Sequence, residues 1–287
     1  MKKIFWTSIT AIFTCIMLFS CSPGKDVPTA ERSTEATSQP FTERNVGHTD
    51  GTYIFDKASV LSTEDIQACN DYAGWLYESK LINVAVVTTN DLEGKSPWDY
   101  AVDSFNEIYE GKGSGLVILI NNQSNEDIVY RTGSCITNIN QQSADNAMFW
   151  ATKEIIGNNY RNAVMRLLQL GELCPVHMID NSQLFAYEDI KLIEKRLISL
   201  KKDVTVLSTK NGTSISNEEI LKTYYNRKYK EIKGIMVMLD VNSKEIIAYS
   251  DEKLSDKLNA RLKSANELAE HDDYIAAINK AIDLVEK

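Results

Sequence analysis

Two halves of this chain repeat the same succession of apolar runs and helix starts. The matched segments are 84–89 and 204–209, Ser96 and Ser216, 115–120 and 234–239, 127–131 and 245–249, and 159–160 and 273–274. The offset between partners falls steadily from 120 to 114 residues, as small loop deletions in a duplicated unit would make it. The pattern therefore predicts two similar domains. Two unrelated domains with similar short strands are the alternative.

Short β-branched runs alternate with helices in each half. Residues 84–89 and 115–120 are uncharged and mostly apolar, which indicates buried strands, and residues 127–132 follow as the second strand of a hairpin. Ser62 is placed to cap the helix that follows it, and Pro97 opens the next helix. This succession predicts an α/β fold of two tandem α/β/α sandwich units, each with a small mixed sheet flanked by helices.

The start of the chain predicts export and lipid attachment. Lys2 and Lys3 precede an uncharged run over residues 4–18, shorter than the roughly 20 residues that cross a bilayer as a helix. The run ends at Leu18-Phe19-Ser20-Cys21, which resembles the lipobox of bacterial lipoproteins. This resemblance implies cleavage before Cys21 and acylation of that cysteine. Ordinary signal peptidase cleavage nearby, with Cys21 an incidental thiol, is the alternative.

Four segments follow from these patterns. Residues 1–20 are predicted to be a lipoprotein signal peptide, and residues 21–51, rich in Ser, Thr, Pro and charge, a flexible tether. Residues 52–172 and 183–287 are predicted to be the two domains. The modification that the lipobox implies adds more than one acyl chain, which anchors a protein stably. We therefore expect a lipid-anchored, extracytoplasmic protein on a cell membrane or outer membrane.

Net charge excludes one class of partner. The chain of 287 residues has a formal net charge of −9, and residues 1–20 contribute two lysines and no acidic residue to it. The mature part is therefore more acidic than the whole chain. Because an acidic protein and a polyanion repel each other, we exclude nucleic acid as a partner.

Three further cysteines follow the lipobox, namely Cys69, Cys135 and Cys174. They show no C-x-x-C spacing, and three thiols cannot all pair within one chain. One disulfide with one free thiol is one arrangement. Three buried free thiols, each packing as a small hydrophobe, is the interpretation that we favour.

Several short motifs in the first half occur together in one known family. Residues 56–62 have the pattern D-x-A-x-x-L-S, residues 115–120 approximate G-x-L-L-L-I, and Arg131-Thr132-Gly133 fits x-T-G. Asn159-Tyr160 stands where a D-Y pair precedes the last helix. Residues 53–171 thus resemble the TPM domain family of thylakoid lumen proteins, bacterial envelope proteins and an animal receptor regulator. The second half keeps the element order without the opening motif, so it resembles a diverged TPM copy.

The resemblance also implies an activity. Some plant members of the family are described as acid phosphatases with acidic, metal-associated residues, including an Asp-Asn before the strand glycine and an acidic residue after the T-G. Here those places hold Gly113 and Ser114, Lys233 in the second half, and residues 134–137, none of them acidic. Asp56 remains as a weak candidate metal ligand, and a role in capping a helix or turn is the interpretation that we favour.

Other catalytic patterns are missing from the sequence. His48, His177 and His271 lack the spacing and the nearby cysteines of a metal site, so we expect loop or surface positions for them. There is no G-x-S-x-G motif. Residues 111–115 are glycine-rich but precede a strand, which predicts a tight turn rather than a phosphate loop.

Two classes of function follow from the sequence. In the first, the protein is a non-catalytic envelope lipoprotein without a cofactor that binds or assists other envelope proteins. In the second, it is a metal-dependent phosphatase of the TPM type with a degraded acidic site, in which Asp91 or Asp127 converges with Asp56. The missing acidic residues favour the first class, so enzymatic activity is the less favoured expectation.

Overall fold

The computed structural model describes residues 51–109, 113–124, 126–230, 232–250 and 255–287. The predicted signal peptide, the acylation site Cys21, the tether up to residue 50 and His48 lie outside these residues. The described residues fold into two α/β units, one after the other. No helix among them is long and apolar enough to cross a membrane.

The first unit alternates strands and helices before it ends in a helical layer. Its strands are β1 (Ile54–Asp56), β2 (Asn83–Thr89), β3 (Gly115–Asn121) and β4 (Ile128–Thr132). Its helices are α1 (Thr63–Ser79), α2 (Pro97–Tyr109), α3 (Ser134–Asn138), α4 (Gln141–Ile156) and α5 (Tyr160–Leu168), followed by a 3-10 helix (Gln169–Leu173).

The second unit repeats this order with shorter helices at its start. Its strands are β5 (Met178–Asp180), β6 (Val204–Thr209), β7 (Ile235–Asp240) and β8 (Glu245–Tyr249). Its helices are α6 (Tyr187–Ile198), α7 (Asn217–Lys228), α8 (Ser255–Arg261), α9 (Lys263–Glu270) and α10 (Tyr274–Glu286).

The two sheets have the same topology. The first has the strand order β1-β2-β3-β4 and the second β5-β6-β7-β8. In each, the first three strands are parallel and the fourth is antiparallel to the third. The predicted class, two tandem α/β units with small mixed sheets, is confirmed.

Helices cover both faces of each sheet. Val84, Val86 and Ile118 pack against α1, α4 and α5, whereas Val87 and Leu119 lie on the other face with α2. The second sheet buries one face under α6, α9 and α10 and the other under α7. The cluster under α7 also contains a residue of the first unit, Leu81, which is 1% exposed. Leu81 of the first unit therefore packs in the hydrophobic core of the second unit.

Local sequence signals predicted most of these elements but not the shortest ones. Ser62 caps α1 and forms a capping box with Asp65, and Ser216 accepts a hydrogen bond from the Glu219 amide at 3.2 Å to cap α7. The strands β1 and β5 and the helix α3 were not predicted, because three to five residues show no periodicity. Since β5 belongs to the second sheet, the predicted range 183–287 omits the strand with which that unit begins.

Candidate functional site

Asp56, the candidate metal ligand, organises the loop between β1 and α1. Its carboxylate accepts hydrogen bonds from the amides of Val60 at 3.1 Å and Leu61 at 2.9 Å, and from the hydroxyl of Thr88. Ser59 reaches a φ of +56° inside this loop. We call residues 56–61 the first aspartate loop. Its contacts are those of a turn-capping carboxylate, the role favoured from the sequence.

The second unit contains the same loop at an offset of 124 residues. Asp180 accepts from the amides of Leu184 at 3.2 Å and Phe185 at 2.9 Å, and from the hydroxyl of Ser208 on the neighbouring strand. Gln183 adopts a φ of +54°, as Ser59 does in the first unit. We call residues 180–185 the second aspartate loop. The second half therefore lacks the opening sequence motif, but its corresponding loop has the same geometry.

The residues implicated by the resemblance lie at opposite ends of the strands of the first sheet. Asp56 pairs with Thr88 near the carboxyl end of β2, whereas Gly115, which follows Ser114, pairs with Asn83 at the amino end. Five residues of strand separate Asn83 from Thr88, roughly 17 Å at about 3.3 Å per residue. Asp56 and Ser114 therefore cannot bind the same ion.

Asp91 and Asp127 lie nearer to Asp56 in the topology, but each serves its own turn. Asp91 accepts from the Glu93 amide at 2.8 Å, and Asp127 accepts from the Asn121 amide at 2.9 Å. Burial raises the pKa of Asp127, and the bond from that amide lowers it in part. Within the described residues, no group of three or more His, Cys, Asp or Glu side chains is arranged to hold a metal ion.

The second aspartate loop covers the amino-terminal end of β3. Ser114 donates its hydroxyl to the side-chain oxygen of Asn181, and the same hydroxyl accepts from the Ser134 amide at 2.7 Å. Gln183 donates to the Gly133 carbonyl at 3.3 Å. Ser114 and Ser134 are 1% and 2% exposed. Ser114, at the first place where the resemblance puts an acidic residue, is thus buried against the second unit, and Ser134, at the second place, is buried beside it.

Arg227 completes this contact from α7. Its guanidinium donates to the carbonyls of Tyr77 at 2.8 Å and Ile82 at 2.7 Å, and reaches the side-chain oxygen of Asn83 at 3.4 Å. It also lies 3.3 Å from the centroid of the Tyr77 ring. A cation near the carboxyl end of α1 interacts favourably with the helix dipole there. We call the contacts of Arg227 and of the second aspartate loop with the first unit the junction.

The chain segment between the units is also fixed by charged side chains. Glu194 accepts from three successive amides, those of Val176 at 3.0 Å, His177 at 2.9 Å and Met178 at 2.8 Å. Burial alone would raise the pKa of Glu194, but the bond from the His177 side chain and the amides of Val176 and His177 together lower it. Lys228 donates to the Val176 carbonyl, and burial lowers its pKa to about 8. These groups attach the connection to α6 and α7.

The remaining sequence candidates have ordinary surroundings. His177 lies in the connection, with its ring nitrogens 3.4 Å from Glu194 and 3.6 Å from Asp203. His271 ends α9. Cys69, Cys135 and Cys174 are all buried free thiols, which is the arrangement favoured from the sequence.

Sequence reasoning missed the residues that matter most at the junction, which are Asp180, Asn181, Gln183 and Arg227. One signal was available: Asp180 follows an apolar pair and precedes another four residues later, as Asp56 does. Arg227 offered no signal, because an arginine near the end of a helix normally indicates a solvated face.

Comparison with known proteins finds a domain match in the first unit. The family model of the TPM domain matches residues 54–163. No curated protein matches the chain. Two solution NMR structures are similar. One is the N-terminal domain of a protein from P. gingivalis, 14% identical, covering 47% of this chain and 92% of that one with a TM-score of 0.40. The other, from Corynebacterium glutamicum, is 16% identical, covers 49% and 90%, and has a TM-score of 0.38. The chain therefore contains a TPM domain, which lies in the first of its two α/β units.

Proposed function

We propose that this protein is a non-catalytic module of the cell envelope, held at a membrane by a lipid on Cys21, that binds or assists other envelope proteins. In this proposal the second unit is a diverged TPM copy that has become a structural partner of the first. Its supports are the shared topology, the paired aspartate loops and the junction.

One observation carries the non-catalytic part of the proposal. The second aspartate loop covers the place before β3 where the resemblance puts acidic residues. The Ser114 hydroxyl is occupied there, because it donates to Asn181 of the junction and accepts from the Ser134 amide. A metal-assisted hydrolase must leave a coordination position open to substrate or water. Ser114 and Ser134 are buried and carry no carboxylate, so among the described residues these two positions offer neither acidic ligands nor access.

The surface of α4 supports the binding part of the proposal. Phe149 and Trp150 are 57% and 51% exposed and contact each other edge to face, with ring centroids 5.4 Å apart. Lys153 lies over both rings at 4.3 and 4.4 Å. Exposed aromatic residues beside cationic ones are typical of the residues that dominate binding energy at protein interfaces. We propose that this aromatic pair contacts another envelope protein.

Site-specific photo-crosslinking in cells tests the binding proposal. A photoreactive phenylalanine analogue at position 149 or 150 should give discrete crosslinked bands that contain a second envelope protein. Leu192, which is 67% exposed on α6, is the matched control position. Crosslinks of equal pattern and yield at position 192 would show that the aromatic pair has no special role.

Cell fractionation tests the anchor. The variant Cys21→Ser should no longer be found in the membrane fraction, because no acyl chain can then be attached. A variant that stays in the membrane fraction at the wild-type level would refute lipid anchoring through Cys21.

A second candidate function, a metal-dependent phosphatase, rests on the TPM match and on Asp56. We expect no turnover of a generic phosphomonoester by the full chain with Ca²⁺, Mg²⁺ or EDTA. Calorimetry with the two cations, on the wild type and on Asp56→Asn, adds a measurement that does not depend on the substrate. Tight binding that disappears in Asp56→Asn, together with metal-dependent turnover, would overturn the non-catalytic proposal.

A further inference from the structure

Two of the buried thiols lie in contact. The Sγ atoms of Cys135 and Cys174 are 3.7 Å apart, and the residues are 0% and 1% exposed. Cys69, the third cysteine among the described residues, has no such contact with either of them. The fold thus selects one pair out of the three combinations that the sequence left open.

The backbone around each thiol is fixed by hydrogen bonds. Cys135 lies in α3, where its carbonyl accepts from the Ile139 amide at 2.9 Å. The Cys174 amide donates to the Gly171 carbonyl at 3.1 Å, and the Cys174 carbonyl accepts from the Lys80 ammonium at 2.6 Å. The contact between the thiols therefore follows from the fold of the first unit rather than from a loose loop.

The sulfur atoms are close enough for a bond without a change of fold. A disulfide has an S–S distance of about 2.05 Å, so the two Sγ atoms would have to approach by roughly 1.6 Å. Rotation about the two Cα–Cβ bonds moves a Sγ atom by that amount while the backbone stays in place. The bond would join α3 to the residue from which the connection to the second unit begins.

We propose that Cys135 and Cys174 form an intramolecular disulfide by exchange with a disulfide donor, either a low-molecular-weight disulfide or a dithiol oxidoreductase. The thiolate of one cysteine attacks the donor disulfide, which gives a mixed disulfide and releases one donor thiol. The second thiolate then attacks the sulfur of the first cysteine and releases the other donor thiol. The two protons lost by the cysteines are taken up by the donor sulfurs. The cysteine pair is oxidised and the donor is reduced.

Burial decides when the exchange takes place. Only thiolates attack disulfides, and the contact with Cys174 together with burial raises the pKa of the Cys135 thiol. The folded protein should therefore react slowly, and the bond should form mainly while the chain folds. Its formation in cells rests on the extracytoplasmic location proposed above, where disulfide donors are present. Its formation in vitro does not depend on that location.

Refolding of the full chain with glutathione disulfide tests the proposal. Cys15→Ser and Cys21→Ser are included in every sample, so that only the three cysteines of the two units remain. Peptide mapping without reduction should find Cys135 linked to Cys174 and the Cys69 thiol free. The variant Cys69→Ser should form the same link, and Cys135→Ser and Cys174→Ser should not form it.

Thermal unfolding provides a second measurement on chains that fold. Closing a loop of about 40 residues should raise Tm by roughly 5–15 °C in the wild type and in Cys69→Ser. Links spread over all three cysteines, alkylation of both Cys135 and Cys174 after oxidative refolding, or a lower Tm of the linked form would overturn the proposal. Since wild type and Cys69→Ser carry the test, a misfolded Cys135→Ser or Cys174→Ser variant does not remove it.

Discussion

The two aspartate loops have the same geometry and different surroundings. In both, a carboxylate accepts from two amides four and five residues ahead and from a hydroxyl on the next strand. The first loop is partly exposed, and its Lys57 and Ser59 are exposed residues. The second is covered, with Asp180 fully buried, and it places Asn181 and Gln183 against the first unit.

This difference shows that the backbone of the loop and its use are determined separately. The aspartate sets the path of the chain, because it provides acceptors for amides that precede the first turn of the helix. The side chains between the aspartate and the helix then decide what the loop contacts. Asn181 and Gln183 bond to the other unit, whereas Lys57, at the place that matches Asn181, donates to the Tyr100 hydroxyl of its own unit at 3.1 Å.

The largest effect should come from removing the guanidinium of the junction. Arg227→Ala leaves the carbonyls of Tyr77 and Ile82 without their donor and empties a buried site, which should lower the free energy of unfolding by about 3–5 kcal/mol. Urea unfolding followed by circular dichroism measures this loss. The control is Lys230→Ala, which removes an exposed ion pair with Glu78 and should cost no more than about 1 kcal/mol. Equal losses in the two variants would contradict a central role for Arg227.

The next effect should separate the two aspartates. Asp180→Ala removes a fully buried carboxylate with four donors, two of them the hydroxyls of Ser182 and Ser208. We expect a loss of about 3 kcal/mol, against about 1–2 kcal/mol for Asp56→Ala, because solvent can replace some of the bonds in the exposed loop. Denaturant midpoints at equal slope measure both. A larger loss at Asp56 would reverse the comparison.

A smaller effect should depend on pH through Lys228. Burial lowers the pKa of Lys228 to about 8, Asp203 and Glu194 raise it in part, and Lys80 lowers it further. Below about pH 8 both states hold the proton, and the folded state bears the full cost of the buried charge. Between about pH 8 and 10 the unfolded state binds more protons, so this contribution to stability rises with pH.

The contribution of Lys228 to the pH dependence is obtained by subtracting the stability of a variant from that of the wild type. The stability of the wild type minus that of Lys228→Met should rise by about 1–2 kcal/mol from pH 7 to 9.5. The subtraction is needed because burial raises the pKa of Cys69 to about 11, so unfolded thiols lose protons first and act in the opposite direction. A difference that stays constant over this range would mean that Lys228 titrates as an exposed lysine does.

The smallest effect should come from Ser59 and Gln183, which have a positive φ in the two aspartate loops. Ser59→Gly relieves a positive φ at an exposed place and should raise stability by about 0.5–1 kcal/mol. Gln183→Gly relieves the same strain but loses the bond to the Gly133 carbonyl, so it should be neutral or destabilising. Thermal unfolding of the two variants gives the comparison. Equal gains would show that the Gln183 bond contributes nothing to the junction.

Sequence patterns could predict most of the fold because most of its signals are local. The β-branched strands, the Ser62 cap and the hairpin of β3 with β4 each depend on a few neighbouring residues. The strands β1 and β5 depend instead on parallel pairing with residues about 30 positions away, since three residues carry no pattern of their own. The short parallel strands are therefore the elements that the sequence predicts least well.

The candidate site was predictable in its residues but not in its geometry. Asp56 stood out from the motif, but its distance from Ser114 depends on which strand end each residue occupies. The burial of Arg227 depends on carbonyls of another unit 150 residues away, so its own helix gives no sign of it. Tertiary contacts of this kind override what a charged residue indicates locally.

The Glu194 carboxylate gives the connection between the units the exchange behaviour of a strand. Its bonds hold three successive amides, two in the irregular segment before β5 and one at the first residue of that strand. An amide proton exchanges with deuterium from the solvent only when its hydrogen bond opens. All three protons are therefore released together, when α6 moves away from the connection. The exchange rate of residues 176–178 thus reports how often α6 detaches from the segment that leads into β5, without any added label.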